Sequence, residues 1–67
     1  MEAKKLAIQA VEDAFKSDIM KLFSNLIVSI AQEGDSPQGA DRAGERFRRG
    51  LDVAVQALEQ ARKAIAE

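Results

Sequence analysis

The side chains best suited to chemistry in this sequence are the arginines of the stretch DRAGERFRRG, residues 41–50. Arg42, Arg46 and Arg49 follow one another at steps of four and three residues, so they would line one side of a helix. Lys21 would lie at about the same level if the chain folds back on itself. Because a guanidinium group can bind phosphate or carboxylate through two parallel hydrogen bonds, this pattern predicts a binding site for an anionic partner.

The acidic residues of the same segment favour another interpretation. Opposite charges four residues apart, as in Glu45–Arg49 and Arg48–Asp52, offset one another on a helix surface that is then simply solvated. In the whole chain ten Lys and Arg face eleven Asp and Glu, so the net charge of −1 gives no general attraction for nucleic acid or anionic membrane. We therefore expect nucleic acid to be the less favoured partner of these arginines.

The composition gives little support to catalysis or to cofactor binding. The chain has no His and no Cys, which excludes a Cys/His zinc site and a disulfide and leaves the serines without an imidazole base. The positions expected to face inward are apolar, so a carboxylate-bound metal inside a helical bundle is not expected either. The sequence thus predicts a protein that is not an enzyme and that binds no cofactor.

Two apolar stripes with the period of an α-helix flank the stretch EGDSPQGADR. The first stripe consists of Ile8, Val11, Phe15, Ile19, Leu22, Leu26 and Ile30. The second consists of Ala40, Ala43, Phe47, Leu51, Ala54, Leu58, Ala61 and Ile65. The first repeats every eleven residues, a period for which little left-handed supercoiling is expected. We predict an all-α chain, one domain over 1–67, with helices at about 3–33 and 37–66 and a turn at 34–36.

The turn carries its own signals. Gly34 is expected to end the first helix in the left-handed conformation, and Ser36 followed by Pro37 is typical of an N-cap and a first helical residue. So short a connection between helices of equal length predicts an antiparallel two-helix hairpin. The stripes should then face each other, and the expected pairs include Val11 with Leu58, Phe15 with Ala54, and Phe23 with Phe47.

Each helix also has apolar residues outside its stripe. On the first helix they form a strip that we call the apolar strip: Met20, Phe23, Ile27 and Ala31. On the second helix they form what we call the small-residue strip: Gly50, Val53, Ala57 and Ala64. Large apolar side chains exposed together usually mark a contact with another molecule. We expect an interface built from Met20, Phe23, Ile27, Gly50, Val53 and Ala57.

The partner expected at this interface is a second copy of the chain, since two hairpins related by a two-fold axis form a four-helix bundle. A helix of a different protein is the alternative occupant. The architecture resembles that of the Rop-type RNA-binding hairpin dimers, and that resemblance implies, as an alternative function, a regulator that binds nucleic acid through the arginines. The function predicted first is a protein–protein interaction module such as an adaptor, a regulator or a chaperone-like subunit.

The location expected from the sequence is the cytoplasm. The longest stretch without a charge has eleven residues, Leu22–Gln32, which is too short for a membrane span. Two lysines precede an apolar stretch near the N-terminus, but Glu12 and Asp13 end it before it reaches the length of a secretion signal. We expect no contact with a membrane.

Overall fold

The chain forms an antiparallel hairpin of two long helices. A computed structural model describes residues 2–67, with α1 at Glu2–Glu33, α2 at Pro37–Ala66 and no strand in that range. The ends of the hairpin meet where the Lys4 ammonium group donates a hydrogen bond to the carbonyl oxygen of Ala66 at 3.5 Å. The Cα trace measures 52 × 15 × 7 Å, so the molecule is a flat rod two helices wide. This architecture agrees with the all-α hairpin predicted from the two stripes.

The start of α2 is determined by local chemistry. Ser36 has an extended backbone, with φ −107° and ψ 144°, and its hydroxyl oxygen accepts a hydrogen bond from the Gly39 backbone N–H at 3.0 Å. Pro37 follows as the first helical residue, where its missing N–H leaves no hydrogen bond unmade. The predicted N-cap is therefore confirmed.

The end of α1 differs from the prediction. No residue between 2 and 67 has a positive φ, so the expectation that Gly34 adopts the left-handed conformation is wrong. The Gly34 N–H instead donates to the carbonyl oxygen of Ile30 at 2.8 Å, as it would in one more helical turn. A Cβ at this position would overlap that same carbonyl oxygen, so glycine is required here for close approach of the backbone.

Very little of the hairpin is buried. Ala43 is 2% exposed and Gly39 is also buried, while the large side chains of the seam between the helices are only half-buried. Two members of the predicted α1 stripe, Ile8 and Ile30, are exposed at its ends, and Ser29 takes the half-buried place expected for Ile30. The half-buried residues from Phe15 onward recur at steps of four, three, four and three. The seam therefore follows a seven-residue repeat and not the predicted repeat of eleven. The two differ in the step after Leu26, which is three residues in the structure and four in the prediction.

The two helices face each other in the predicted register. Val11 and Leu58 border one groove between α1 and α2, together with Phe15 and Ala54. Phe23 is the exception, since Phe47 shares its groove with Leu22 and Leu26 while Phe23 is exposed.

The glycines of α2 give a direct test of this packing. A Cβ at Gly39 would overlap the backbone carbonyl of Glu33, whereas a Cβ at Gly44 would meet nothing within 4 Å. We expect Gly39→Ala to lower the free energy of unfolding by 1 kcal/mol or more, because backbone must move, and Gly44→Ala to raise it by about 0.5–1 kcal/mol through helix propensity. Urea denaturation at one chain concentration measures both, and equal effects of the two substitutions would contradict the close approach at Gly39.

Candidate functional site

The hairpin has two broad faces, and one of them carries an open groove of about 280 Å³. We call this side the groove face. Gly50, Val53 and Ala57 of the small-residue strip border the groove on α2. On α1 it is bordered by Asp18, Lys21, Leu22 and Asn25. Gly50 leaves room for Leu22 at the floor of this groove, because a Cβ there would lie 2.5 Å from a terminal methyl carbon of Leu22.

The apolar strip lies on the opposite side, which we call the strip face. Met20 comes two residues after Asp18, and Phe23 comes two residues after Lys21. Two residues turn an α-helix by about 200°, so side chains of the apolar strip point away from the groove. The edge of the strip face is marked by an ion pair in which the Arg62 guanidinium donates to the Glu12 carboxylate at 2.9 Å.

The six residues predicted to form one interface are thus divided between two faces. Met20, Phe23 and Ile27 are 65%, 53% and 54% exposed on the strip face. Ile30 is also exposed there, because it lies eighteen residues, or five turns, beyond Glu12 on α1. The remaining three predicted residues, with Val53 65% exposed, belong to the groove face. The cluster of large apolar side chains, from Met20 to Ile30, therefore lies on the strip face. Gly50, Val53 and Ala57 line the groove face, and Val28, 52% exposed, lies on the same side seven residues after Lys21.

The predicted arginine stripe lies along the groove-face side of α2, and its central member already has a partner. The Arg46 guanidinium donates to the Glu33 carboxylate at 2.9 Å, an exposed ion pair that joins the two helices near the turn. Lys21 borders the groove, while Arg42 and Arg49 are exposed one turn to either side of Arg46. The structure thus brings Lys21 and Arg46 to the same face, but Arg46 is neutralised by Glu33.

Reasoning from each helix alone missed the ion pairs that cross between helices. The pairs Glu12–Arg62 and Glu33–Arg46 connect residues far apart in sequence, and only the antiparallel register brings them together. Arg48 pairs with Glu45 and not with the expected Asp52. The Glu45 carboxylate accepts a hydrogen bond from the Arg48 guanidinium at 2.7 Å. The two pairs that cross between α1 and α2 are exposed, so they align the helices more than they stabilise them.

Comparison with protein-family models, with curated proteins and with solved structures gives no match to this chain. Neither helix within residues 2–67 combines the length and the apolar character needed to cross a membrane.

The Glu45–Arg48 ion pair on the surface of α2 predicts a measurable pH effect. The hydrogen bond and the charge of Arg48 lower the pKa of the Glu45 carboxyl below its ordinary value of 4.5. Because this pKa is lower in the folded chain, the pair contributes stability above the ordinary pKa and loses it as the pH falls through the lowered pKa. Arg48→Gln should raise the pKa of Glu45 toward 4.5 in an NMR titration of the carboxyl carbon. Arg62→Gln is the control and should leave the pKa of Glu45 unchanged.

Proposed function

We propose that this chain is a non-enzymatic protein–protein interaction module that binds a helical partner through the apolar strip. The observation that supports the proposal is the exposure of Met20, Phe23 and Ile27, each more than half exposed, on one face of a hairpin with almost no buried core. Burying such a side chain fully contributes roughly 1.5–3 kcal/mol, which is large beside the total stability of a small domain. A second copy of the chain is the occupant we favour, and the product is a four-helix bundle in the cytoplasm.

The position of the strip supports this proposal over a contact through the groove face. On α1 the strip occupies the half that leads into the turn, where the stripe residues Leu22 and Leu26 already face α2. The segment from residue 20 to residue 31 is therefore apolar on two sides, which is typical of a helix covered by neighbours on both. The exposed Val53 on the groove face stands among small side chains and has no comparable cluster around it.

The alternative, a nucleic-acid-binding regulator of Rop-like architecture, has less support. Its central side chain, Arg46, is bound to Glu33, and Arg48 is bound to Glu45, so phosphate would have to compete with carboxylates already in place. Arg42, Arg49 and Lys21 remain as candidate phosphate ligands.

Two matched substitutions test the apolar strip. Phe23→Asp and Val53→Asp each place a carboxylate at an exposed apolar position, one on each face. Burying an unpaired charge in an interface is costly, so Phe23→Asp should convert the oligomer to single chains with the helix content of the hairpin retained. Light scattering measures the mass, and circular dichroism measures the helix content.

Val53→Asp should leave the mass of the oligomer unchanged. The opposite result, an oligomer lost with Val53→Asp and kept with Phe23→Asp, would move the contact to the groove face. A wild-type chain that stays monomeric would remove the second copy and leave a different protein as the partner.

The salt dependence of binding separates the two functions. Contacts with phosphate release counterions, so binding to RNA or DNA through the arginines would weaken steeply as salt is added, and Arg46→Glu would abolish it. An apolar contact between chains should hardly respond to salt or to Arg46→Glu. We expect the wild type and Arg46→Glu to have the same oligomer mass at low and at high salt. Tight RNA binding by the wild type that is lost in Arg46→Glu would favour the alternative.

A further inference from the structure

The two helices contribute very different side chains to the strip face. On α1 the strip face carries Met20, Phe23 and Ile27 with Ile30 beside them. The corresponding flank of α2 carries one large apolar side chain, Val55, which is 38% exposed. The flank is otherwise mainly charged, with Asp41, Arg48, Asp52, Glu59 and Arg62. A partner on this face therefore buries apolar surface against α1, and contact with α2 costs the desolvation of charged groups.

We infer, in a step that rests on the proposed function, that the partner is a second copy of the chain. Its α1 packs antiparallel against this α1, and the two-fold axis passes through the contact at Phe23. The apolar residues are spaced almost evenly about that point, Met20 three residues before it and Ile27 four residues after it. A two-fold axis there places Phe23 against Phe23 of the second copy and Met20 against its Ile27. The strip is thus complementary to itself, as a contact between identical surfaces must be.

Lys16, the charge on the strip face nearest to the apolar strip, fits the same arrangement. The last turn of α1 contains no basic residue, and the C-terminal end of a helix carries partial negative charge. Asp35 follows this end directly, and its full negative charge outweighs the partial positive charge of the α2 N-terminus beside it. Lys16 lies on the strip face two turns before Phe23, so the two-fold axis brings its ammonium group to the last turns of the other α1. A parallel arrangement would instead bring Lys16 next to Lys16.

The length of the overlap sets the size of the contact. The overlap of the two α1 helices about Phe23 runs from about residue 14 to residue 33, which is roughly 30 Å at 1.5 Å per residue. This is more than half of the 52 Å length of the hairpin. A standard interface buries about 800 Å² per partner, which is about 15% of the 5317 Å² surface of the chain. Half of the 52 × 15 Å rectangle of the Cα trace is about 390 Å², so side chains that project beyond the trace must supply the rest of such an interface.

Single-cysteine variants test the direction of packing, because the chain has no cysteine of its own. A disulfide requires Cα atoms within about 7 Å of each other. In the antiparallel pair, Met20→Cys meets Ile27→Cys of the other copy, whereas two Ile27→Cys residues are separated by about 12 Å along the helix axis. We expect a mixture of the two full-length variants, one with a mass tag, to cross-link between variants under mild oxidation. Each variant alone should cross-link little, and Val53→Cys, the groove-face control, should not cross-link.

The possible results are distinguishable. Cross-linking of Ile27→Cys to itself and of Met20→Cys to itself would overturn the antiparallel packing and leave the apolar strip as the contact surface. An oligomer that forms no cross-link through either position, and that survives Phe23→Asp, would overturn both the packing and the proposed function. A monomeric wild type would overturn the inference that a second copy is the partner. A helix of another protein would then be the occupant of the apolar strip.

Discussion

A hairpin of two helices can bury only one stripe on each helix, and every other feature of this molecule depends on that constraint. Ala43 is the one apolar residue within 2–67 that is buried, and the large residues of the seam keep part of their surface in contact with water. A chain with no cysteine cannot compensate for a small core with a disulfide. In the proposed function, the apolar side chains left outside the seam, above all Phe23 and Ile27, are the main determinant of what the molecule binds.

The two faces of the hairpin differ because their side chains differ in size. On the groove face Gly50 leaves room for Leu22, and small residues on α2 leave an open groove beside it. On the strip face most of the large apolar side chains project from α1, while the neighbouring flank of α2 is mainly charged and adds only Val55. A partner that removes apolar surface from water gains on the strip face and gains much less on the groove face. This difference, more than the arginine stripe, supports a protein partner.

The charged residues mainly align the hairpin. Glu12–Arg62 crosses between the helices near the open end, and Glu33–Arg46 crosses near the turn. Both pairs are exposed, so their energetic contribution is small, but each is satisfied in only one register of α1 against α2. Arg46 is consequently part of the scaffold, and the segment that first suggested an anion-binding site has its central guanidinium already in use.

The sequence by itself determined the two helices, the turn between them and the N-cap at Ser36, because these depend on neighbouring residues and on the helical period. It also determined the register of the two helices, since a short turn leaves only one, but it misplaced Phe23 and Ile30, which lie outside the seam. The tertiary structure decided how the flanking strips combine. Residues that follow the seam, such as Met20 after Ile19, share a face with those that follow it on α2, such as Arg62 after Ala61. Residues that precede it, such as Val53 before Ala54, lie on the other face. The physical reason is that antiparallel helices rotate in opposite senses when viewed from one end, so strips that look adjacent on separate helical wheels are carried to opposite sides of the folded chain.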